Sequence, residues 1–423
     1  MWRRNILRLI VERPAPRRSN NISNDETQSI ASLLPRFMSQ TSADTNLKAT
    51  AGYSIEEGNA ASKNAYHWAQ KTFSTRAGKP GEPAQDLAGG FSNEIRFGAE
   101  RLGIGSDGIG TKIEVAERLD RYDTLGYDLI AMVADDLIVA GFVPTNLSNI
   151  IDVNTLNYEV VDELMRGLHD AAQFSQIAVT GGEIAELGNR IGGYPGAKMN
   201  FNWCSTAVGV LHPSLERPLS GANVRAGQAV VALRSPSFRS NGYSLARRAL
   251  TKAFGEKWHE QPYNEAAGTQ AAGEATSNQQ LTTENATTWG EVMLAPSLIF
   301  SPGVAAVLDA GLPLHAAAHI TGGGIADNFR RVLKNGVGAE LDNLFAPLPA
   351  MQQLAELAGI TPQEAYLYWN MGNGMLLVTE PEQAEAVAET LRAHGYQAQV
   401  AGRITPETDV VLRVGAGELR YEA

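Results

Sequence analysis

The sequence predicts an α/β protein with two domains. Short apolar segments of strand length alternate with amphipathic segments of helical period along most of the 423 residues. Glycine-rich loops follow predicted strands in both halves of the chain. Segment 213–227 is rich in proline and glycine and marks a break between the halves. We therefore predict one domain over 51–222 and a second over 223–423.

Composition excludes several classes of protein. The formal net charge is −11, whereas a nucleic-acid-binding surface would be basic. Cys204 is the one cysteine, so neither an internal disulfide nor a zinc site built from several cysteines can form. No run of eighteen apolar residues occurs, so no transmembrane helix is predicted. We expect a cytoplasmic protein without nucleic-acid or membrane partners.

Residues 1–50 differ in kind from the rest of the chain. They are basic and rich in Ser, Asn and Thr, a composition typical of a transit peptide, although Asp25 and Glu26 argue against that reading. A disordered extension is the alternative that we favour.

The first functional loop follows a strand predicted over 100–106. It begins at Asp107, is rich in glycine and ends in Thr111-Lys112. Flexible backbone amides can surround phosphate oxygens, and Lys112 would add a point charge. Carboxylates supply the oxygen ligands that Mg²⁺ prefers. The loop therefore predicts a site for a nucleoside triphosphate and its magnesium.

A helix predicted over 124–140 contains two adjacent acids. With Leu125 at zero on a helical wheel, Asp136 lies about 20° away, within the apolar face, and Asp135 lies at the edge of that face. A lone carboxylate on a buried face is costly unless it is paired or bound to a metal. Asp136 is therefore the predicted metal ligand, unless the helix is rotated so that Asp136 faces solvent.

A third acid follows the next helix. The helix predicted over 160–174 leads into a short apolar strand, 177–180, which we expect to end at Gly181-Gly182-Glu183. A carboxylate at a strand end is well placed to contact a metal or a substrate. An ordinary turn after the strand is the alternative.

The second half contains two possible ligand loops. Strand 229–233 precedes a helix predicted over 243–253, and either Ser240 or Asn241 can cap that helix, whose N-terminus could bind an anion. Plain capping is the alternative.

The other loop carries His319, which could be a general acid or base, and three glycines that allow a close ligand approach. They are Gly322, Gly323 and Gly324. A structural histidine is the alternative. Residues 256–289 between these loops lack aliphatic periodicity, and we predict that they form an inserted flexible loop.

Seven collinear motifs make the chain resemble one family, the phosphoribosylformylglycinamidine cyclo-ligases, also called aminoimidazole ribonucleotide synthetases. The late segment Asn370-Met-Gly-Asn-Gly-Met375 also matches that family. The seven motifs are Gly105–Lys112, Asp123–Met132, Asp136–Gly141, Gly181–Glu186, Ser240–Leu245, Leu294–Pro296 and His319–Gly324.

This resemblance implies a two-domain α/β fold and a homodimer in which N-terminal strands of both subunits form a barrel-like sheet. It implies a ribonucleotide substrate, ATP and Mg²⁺, and closure of an imidazole ring in purine synthesis. The implied metal ligands are Asp107, Asp136 and Glu183. The residues implied to face the triphosphate are Gly108, Gly110, Thr111 and Lys112. Those implied to face substrate or phosphate are Asn241, His319, Gly322, Gly323 and Gly324, and the catalytic residues among these sets would be Lys112, His319 and Asn241.

Three departures from the family pattern fall on the side where the substrate would bind. Arg239 stands where the family usually has His before Ser-Asn-Gly-Tyr-Ser. Leu187-Gly188-Asn189 replaces Met-Pro-Gly, and Ser148–Ile151 replaces Leu-Asp-Tyr-Tyr, with loss of the acid. These changes leave the substrate less certain than the nucleotide chemistry.

Two other classes of function stay open. One is another ATP-dependent phosphotransferase of the same superfamily, similar to thiamine-monophosphate kinase. A selenophosphate-synthetase-like activity is disfavoured because Cys204 does not lie in an N-terminal glycine-rich loop. The other is a nucleotide-binding paralogue without turnover, against which the retained acids and Lys112 argue.

Overall fold

Two β-sheets, one from each half of the chain, organise the fold. The predicted extension 1–50 and the interior of the predicted insertion lie outside the described residues. No helix in the described part of the chain is long and apolar enough to cross a membrane. The computed structural model describes residues 55–84, 92–264, 283 and 286–423.

The first sheet has six strands in the order β1-β2-β3-β6-β4-β5 among the described residues. All its neighbouring strands are antiparallel except β4 and β5, which run parallel. The strands are β1 (Glu82–Ala84), β2 (Asn93–Phe97), β3 (Glu100–Gly108), β4 (Phe142–Val153), β5 (Ala178–Glu186) and β6 (Phe201–Leu211).

One helix forms the centre of this half. It packs on β3, β4 and β6, and its apolar composition on all sides explains why it is buried at every position except Tyr127 and Asp136. We name it α3. The helices of this half are α1 (Ile55–Gln70), α2 (Ile113–Leu119), α3 (Leu125–Ile138) and α4 (Tyr158–Ser175).

The second sheet has seven strands in the order β13-β12-β9-β11-β7-β10-β8 in the described part of the chain. Its central strands β7 and β10 are buried along almost their whole length, as expected for strands covered on both faces. The strands are β7 (Ala229–Arg234), β8 (Ala316–His319), β9 (Gly338–Leu341), β10 (Asn373–Thr379), β11 (Ala398–Thr405), β12 (Val410–Val414) and β13 (Gly417–Tyr421).

Helices of the second half cover this sheet and also contact the first half, where α7 packs against α3. They are α5 (Tyr243–Phe254), α6 (Trp289–Leu294), α7 (Ser301–Asp309), α8 (Gly324–Arg330), α9 (Pro349–Ala358), α10 (Pro362–Tyr368) and α11 (Ala384–Ala393). The α/β fold class is confirmed, whereas the division at 222/223 stays a prediction.

Two predictions about local structure are wrong. Strand β5 does not end at residue 180 but continues to Glu186, because an irregularity opposite Leu147 and Ser148 lets the Gly181-Gly182 segment stay paired with β4. The segment 256–289 is not a flexible loop at its ends. Trp258 is fully buried, and a bridge joins Pro262 to Thr288.

Candidate active site

Asp107 is the second-last residue of strand β3 and lies next to the glycine-rich loop. Its carboxylate accepts a hydrogen bond from the Gly108 N–H at 2.7 Å. The chain then passes through Gly110, whose φ of +68° suits glycine, into a short 3₁₀ turn before α2. Gly110 and Thr111 are exposed. The loop thus presents accessible backbone beside a carboxylate.

Asp136, on α3, is the second acid of this site and interacts electrostatically with Asp107. Desolvation raises the pKa of Asp107 to about 6, and the neighbouring Asp136 adds to that rise. Burial raises the pKa of Asp136 to about 7, against the opposing effects of Arg331 and Arg239. The side chain of Asp136 is 21% exposed, so it is open to a ligand. Asp107 and Asp136 are thus two acids whose charged forms are both disfavoured by burial.

His319, at the end of β8, connects Asp136 to the interior. Its Nδ1 lies 2.7 Å from Asp136 Oδ1, and its Nε2 lies 2.7 Å from Arg239 Nη2. Because an arginine can only donate, Nε2 accepts and Nδ1–H donates to the carboxylate. Burial, followed by Arg239, lowers the pKa of His319 to about 3, so the ring is neutral.

The prediction that His319 acts as a general acid or base does not fit this geometry. The ring is fully buried and both of its nitrogens are engaged within the protein. His319 therefore orients Asp136 instead of facing a substrate.

Arg239 forms a buried ion pair with Asp135, and sequence reasoning missed this pair. Its Nη2 lies 2.7 Å from Asp135 Oδ2, and neither side chain is exposed. Its Nη1 donates to the Leu298 carbonyl at 2.6 Å, and the guanidinium lies 4.8 Å from the centre of the Phe300 ring. The Phe300 N–H completes the pair by donating to Asp135 Oδ1 at 2.9 Å.

The helical-wheel argument consequently ranked the two acids wrongly by burial. Asp135, placed at the edge of the apolar face, is fully buried, and Asp136, placed within it, is the partly exposed one. Because this helix is buried almost all round, it has no clear boundary between an apolar and an exposed face. The helical wheel therefore cannot rank the burial of the two acids. The side chain of Asp136 is partly exposed, so the alternative that the helix turns Asp136 fully to solvent does not hold either.

Lys112 is not available to a triphosphate in this structure. It is fully buried, and its ammonium lies 2.8 Å from Asp128 on α3. The other two N–H groups donate to the carbonyls of Ala295, at 2.6 Å, and Arg239, at 3.3 Å. Burial lowers the pKa of Lys112, and Asp128 opposes that shift. The prediction of Lys112 as a phosphate ligand is corrected: the residue ties the loop to the second half.

Glu183 is not part of the Asp107–Asp136 pair. Across the first sheet, Asp107 pairs with Ser205, Ser205 with Asn149, and Asn149 with Gly182. Three strand spacings separate the ends of this row, about 14 Å. Within the described residues no group of three or more His, Cys, Asp or Glu side chains is close enough to hold a metal. The structure therefore does not bring Glu183 to the other two predicted metal ligands, and Asp107 and Asp136 stay predictions.

The second glycine loop follows His319 by a few residues in the chain. Gly323 and Gly324 have φ of +94° and +62° and lead into α8. A Cβ added at Gly322 would lie 3.8 Å from Asn241 Nδ2, so the Asn241 side chain borders this loop. Neither Ser240 nor Asn241 caps α5, because the N-cap is Gly242, with φ of +75°.

At two of the positions that depart from the family pattern, the side chain makes buried contacts. Arg239 belongs to the ion pair described above. Asn149 is 6% exposed and accepts a hydrogen bond from Trp203 Nε1 at 3.0 Å. A sequence signal for the ion pairs did exist: α3 contains three acids and no basic residue, so its buried acids required cations from elsewhere.

Comparison with protein families finds two adjacent matches. The N-terminal domain model of AIR synthase related protein matches residues 94–211, and its C-terminal domain model matches residues 225–415.

Curated relatives and a solved structure agree with these matches. A phosphoribosylformylglycinamidine cyclo-ligase of Methanobrevibacter smithii is 30% identical over 335 residues, which cover 79% of this chain and 89% of the relative. One of Thermococcus kodakarensis is 30% identical over 362 residues, covering 86% and 96%. The crystal structure of a HypE-HypF complex aligns with a TM-score of 0.52 at 13% identity, covering 78% of this chain and 92% of that chain. That structural likeness concerns the fold alone.

Proposed function

The chain belongs to the AIR synthase related protein family, and we propose that it is a phosphoribosylformylglycinamidine cyclo-ligase acting in cytoplasmic purine synthesis. In this reaction ATP and formylglycinamidine ribonucleotide give aminoimidazole ribonucleotide, ADP and phosphate. The observation that carries the proposal is the match to curated relatives of that name over most of both chains. The presence of Asp107 and Asp136, two acids that interact electrostatically, next to the glycine-rich loop supports it.

The chemistry of the donor set fits Mg²⁺. Asp107 and Asp136 offer hard oxygen ligands, and Mg²⁺ is commonly held by one or two carboxylates together with water and substrate phosphates. A bound cation would also offset the desolvation that raises the pKa of Asp107 and the smaller contribution of Asp136. Mg²⁺ would neutralise charge on the triphosphate during phosphoryl transfer.

The reaction needs activation of a poor leaving group. ATP phosphorylates the formyl amide oxygen of the substrate, the amidine nitrogen attacks the activated carbon, and the C–O bond breaks to release phosphate. The exposed backbone at Gly110 and Thr111 would hold the triphosphate, and the Gly322–Gly324 loop with Asn241 would hold the substrate side. The protein's task is to position these groups and exclude water.

His319 would act in this reaction through Asp136. The Nδ1–H bond to Asp136 Oδ1 fixes the direction of that carboxylate, and Arg239 fixes the tautomer of the ring. Lys112 would hold the glycine-rich loop against the second half through its contact with the Ala295 carbonyl. These are positioning roles for residues that do not touch the substrate.

We also propose a homodimer formed through the first sheet. Its edge strand β5 is exposed along almost its whole length and includes the apolar residues Val179 and Ile184, each 41% exposed. Ile150 on the neighbouring strand is 52% exposed. An exposed apolar sheet edge favours pairing with another chain. Sedimentation of the full chain should give twice the monomer mass, and a monomer at micromolar concentration would contradict the proposal.

The activity is tested with the purified full chain, ATP, Mg²⁺ and formylglycinamidine ribonucleotide. We expect ADP and the imidazole product in equal amounts. ADP release without the imidazole, or no reaction of a folded protein that binds ATP, would refute the assignment. Thiamine monophosphate serves as the alternative phosphoryl acceptor, and its phosphorylation would replace the proposed activity by that of a kinase.

A further inference from the structure

A pocket of about 500 Å³ opens beside α5, outside the proposed catalytic site. It is bounded by α2, by one face of α5 and by Glu256, just after α5. Asp107, Asp136 and His319 are not among its lining residues. It therefore requires an explanation of its own.

The pocket is positively charged within an acidic protein. Four basic side chains and two glutamates line it, which leaves a formal charge of +2, whereas the whole chain carries −11. Such a local reversal favours an anion in the pocket. The basic residues are Arg118, Arg247, Arg248 and Lys252, and the acids are Glu114 and Glu256.

Arg118 is held rigidly at one wall. Its side chain is 6% exposed and lies 2.8 Å from Glu114 Oε1. Its guanidinium also lies 4.5 Å from the centre of the Tyr194 ring. Its Nη1 also donates to the Glu256 carbonyl at 2.7 Å, so Arg118 contributes a positive charge from a fixed position in the wall.

Arg247 keeps part of its donor capacity unused. It forms an ion pair with Glu114, but among the described residues its buried Nε has no hydrogen-bond partner. Burial lowers the pKa of Arg247, and the charge of Arg248 adds to that shift. An anion in the pocket would offset the repulsion between Arg247 and Arg248.

The face of α5 also supplies hydroxyl groups. Ser244, Arg247, Arg248 and Thr251 follow one another at the spacing that places side chains on one side of a helix, and all four line the pocket. Arg248 is anchored along this face because its Nε donates to the Ser244 carbonyl at 3.2 Å. Guanidinium groups with neighbouring hydroxyls are suited to phosphate oxygens.

We propose that this pocket binds the phosphate group of a small phosphate monoester, at a site separate from that of the triphosphate. A monoester carries a charge of about −1.5 to −2 at neutral pH, which matches the formal charge of the lining. A simple carboxylate would neutralise about half of it. The pocket is concave and the chain is acidic, so a nucleic acid does not fit.

The test is isothermal titration calorimetry of the full chain with ribose 5-phosphate and with inorganic phosphate, without ATP or Mg²⁺. The variant Arg248→Gln/Lys252→Gln removes two charges from the pocket. The control Arg166→Gln/Lys198→Gln removes two charges from exposed positions elsewhere, where the side chains are 62% and 50% exposed. We expect ribose 5-phosphate binding to weaken by about tenfold or more in the pocket variant and to stay unchanged in the control.

Three results would overturn the proposal. Equal binding by the pocket and control variants would locate the anion elsewhere. Ribose 5-phosphate binding no tighter than inorganic phosphate would refute a monoester as the ligand. Loss of binding in Asp136→Asn would assign the anion to the catalytic site. The proposal does not depend on the catalytic activity, because the binding is measured without turnover.

Discussion

Replacing Arg239 by methionine should destabilise the protein severely, because it leaves the buried carboxyl group of Asp135 without its cation. Both side chains are unexposed, and the two atoms of the pair are 2.7 Å apart. Removing one partner of a buried ion pair costs about 3–5 kcal/mol. The Phe300 and Ser301 N–H groups, each 2.9 Å from Asp135 Oδ1, remain and keep the loss within that range.

Thermal and urea unfolding of the full chain measure this loss. At roughly 2 °C per kcal/mol for a chain of this size, we expect the Tm of Arg239→Met to fall by about 6–10 °C. The matched control is Arg166→Met, since Arg166 is 62% exposed and its pair with Glu163 spans 4.0 Å. We expect the control to change stability by less than about 0.5 kcal/mol.

A double variant separates the charge from the packing. Asp135→Asn combined with Arg239→Met removes both charges and should be less destabilised than Arg239→Met alone, because no uncompensated buried charge remains. A loss below about 1 kcal/mol in Arg239→Met, or a double variant at least as destabilised as that single variant, would refute the reasoning.

Three further predictions concern the site itself. Asp136→Asn should fold normally and lose at least about tenfold in Mg²⁺-dependent ATP affinity, and unchanged affinity in calorimetry would refute the two-acid cation site. Lys112→Met should lower stability by about 3–5 kcal/mol in urea unfolding, and KM for ATP should stay within about threefold for a buried, non-contacting residue. Gly324→Ala should fail to yield folded protein because its Cβ would overlap the Tyr366 carbonyl, whereas circular dichroism should show Gly322→Ala folded.

Much of the fold could be predicted because the relevant signals are local. The helices over 124–140 and 160–174 were predicted from apolar periodicity, and the structure places them at Leu125–Ile138 and Tyr158–Ser175. The Gly110 turn and the second glycine loop were likewise predicted from composition. These features depend on residues close in sequence, for which pattern is informative.

The errors arise where distant residues decide the structure. Strand β5 continues through Gly181-Gly182 because β4 accommodates an irregularity opposite it, which no local pattern reveals. Trp258 and Trp289 are buried at the ends of the predicted insertion, where the ring centre of Trp289 lies 5.1 Å from that of Tyr263, and such contacts have no periodicity. Lys112 was predicted to bind phosphate from its place in the glycine-rich loop. Nothing in the local sequence shows that its buried partner, Asp128, lies sixteen residues away on another helix.

The acids of α3 show how structural and chemical roles are divided. The helix contains three acids and no base. Asp128 and Asp135, seven residues apart and therefore on one side of the helix, are each paired with a buried cation, Lys112 and Arg239 respectively. Both cations belong to loops that border the site, so the two pairs hold those loops against α3.

The hydrogen-bond partner of Asp136 is the neutral ring of His319, which orients the carboxylate without neutralising it. Of the three acids, Asp136 is therefore the partly exposed one, and its carboxylate is oriented by a neutral partner. This is the position from which we expect a cation to be bound.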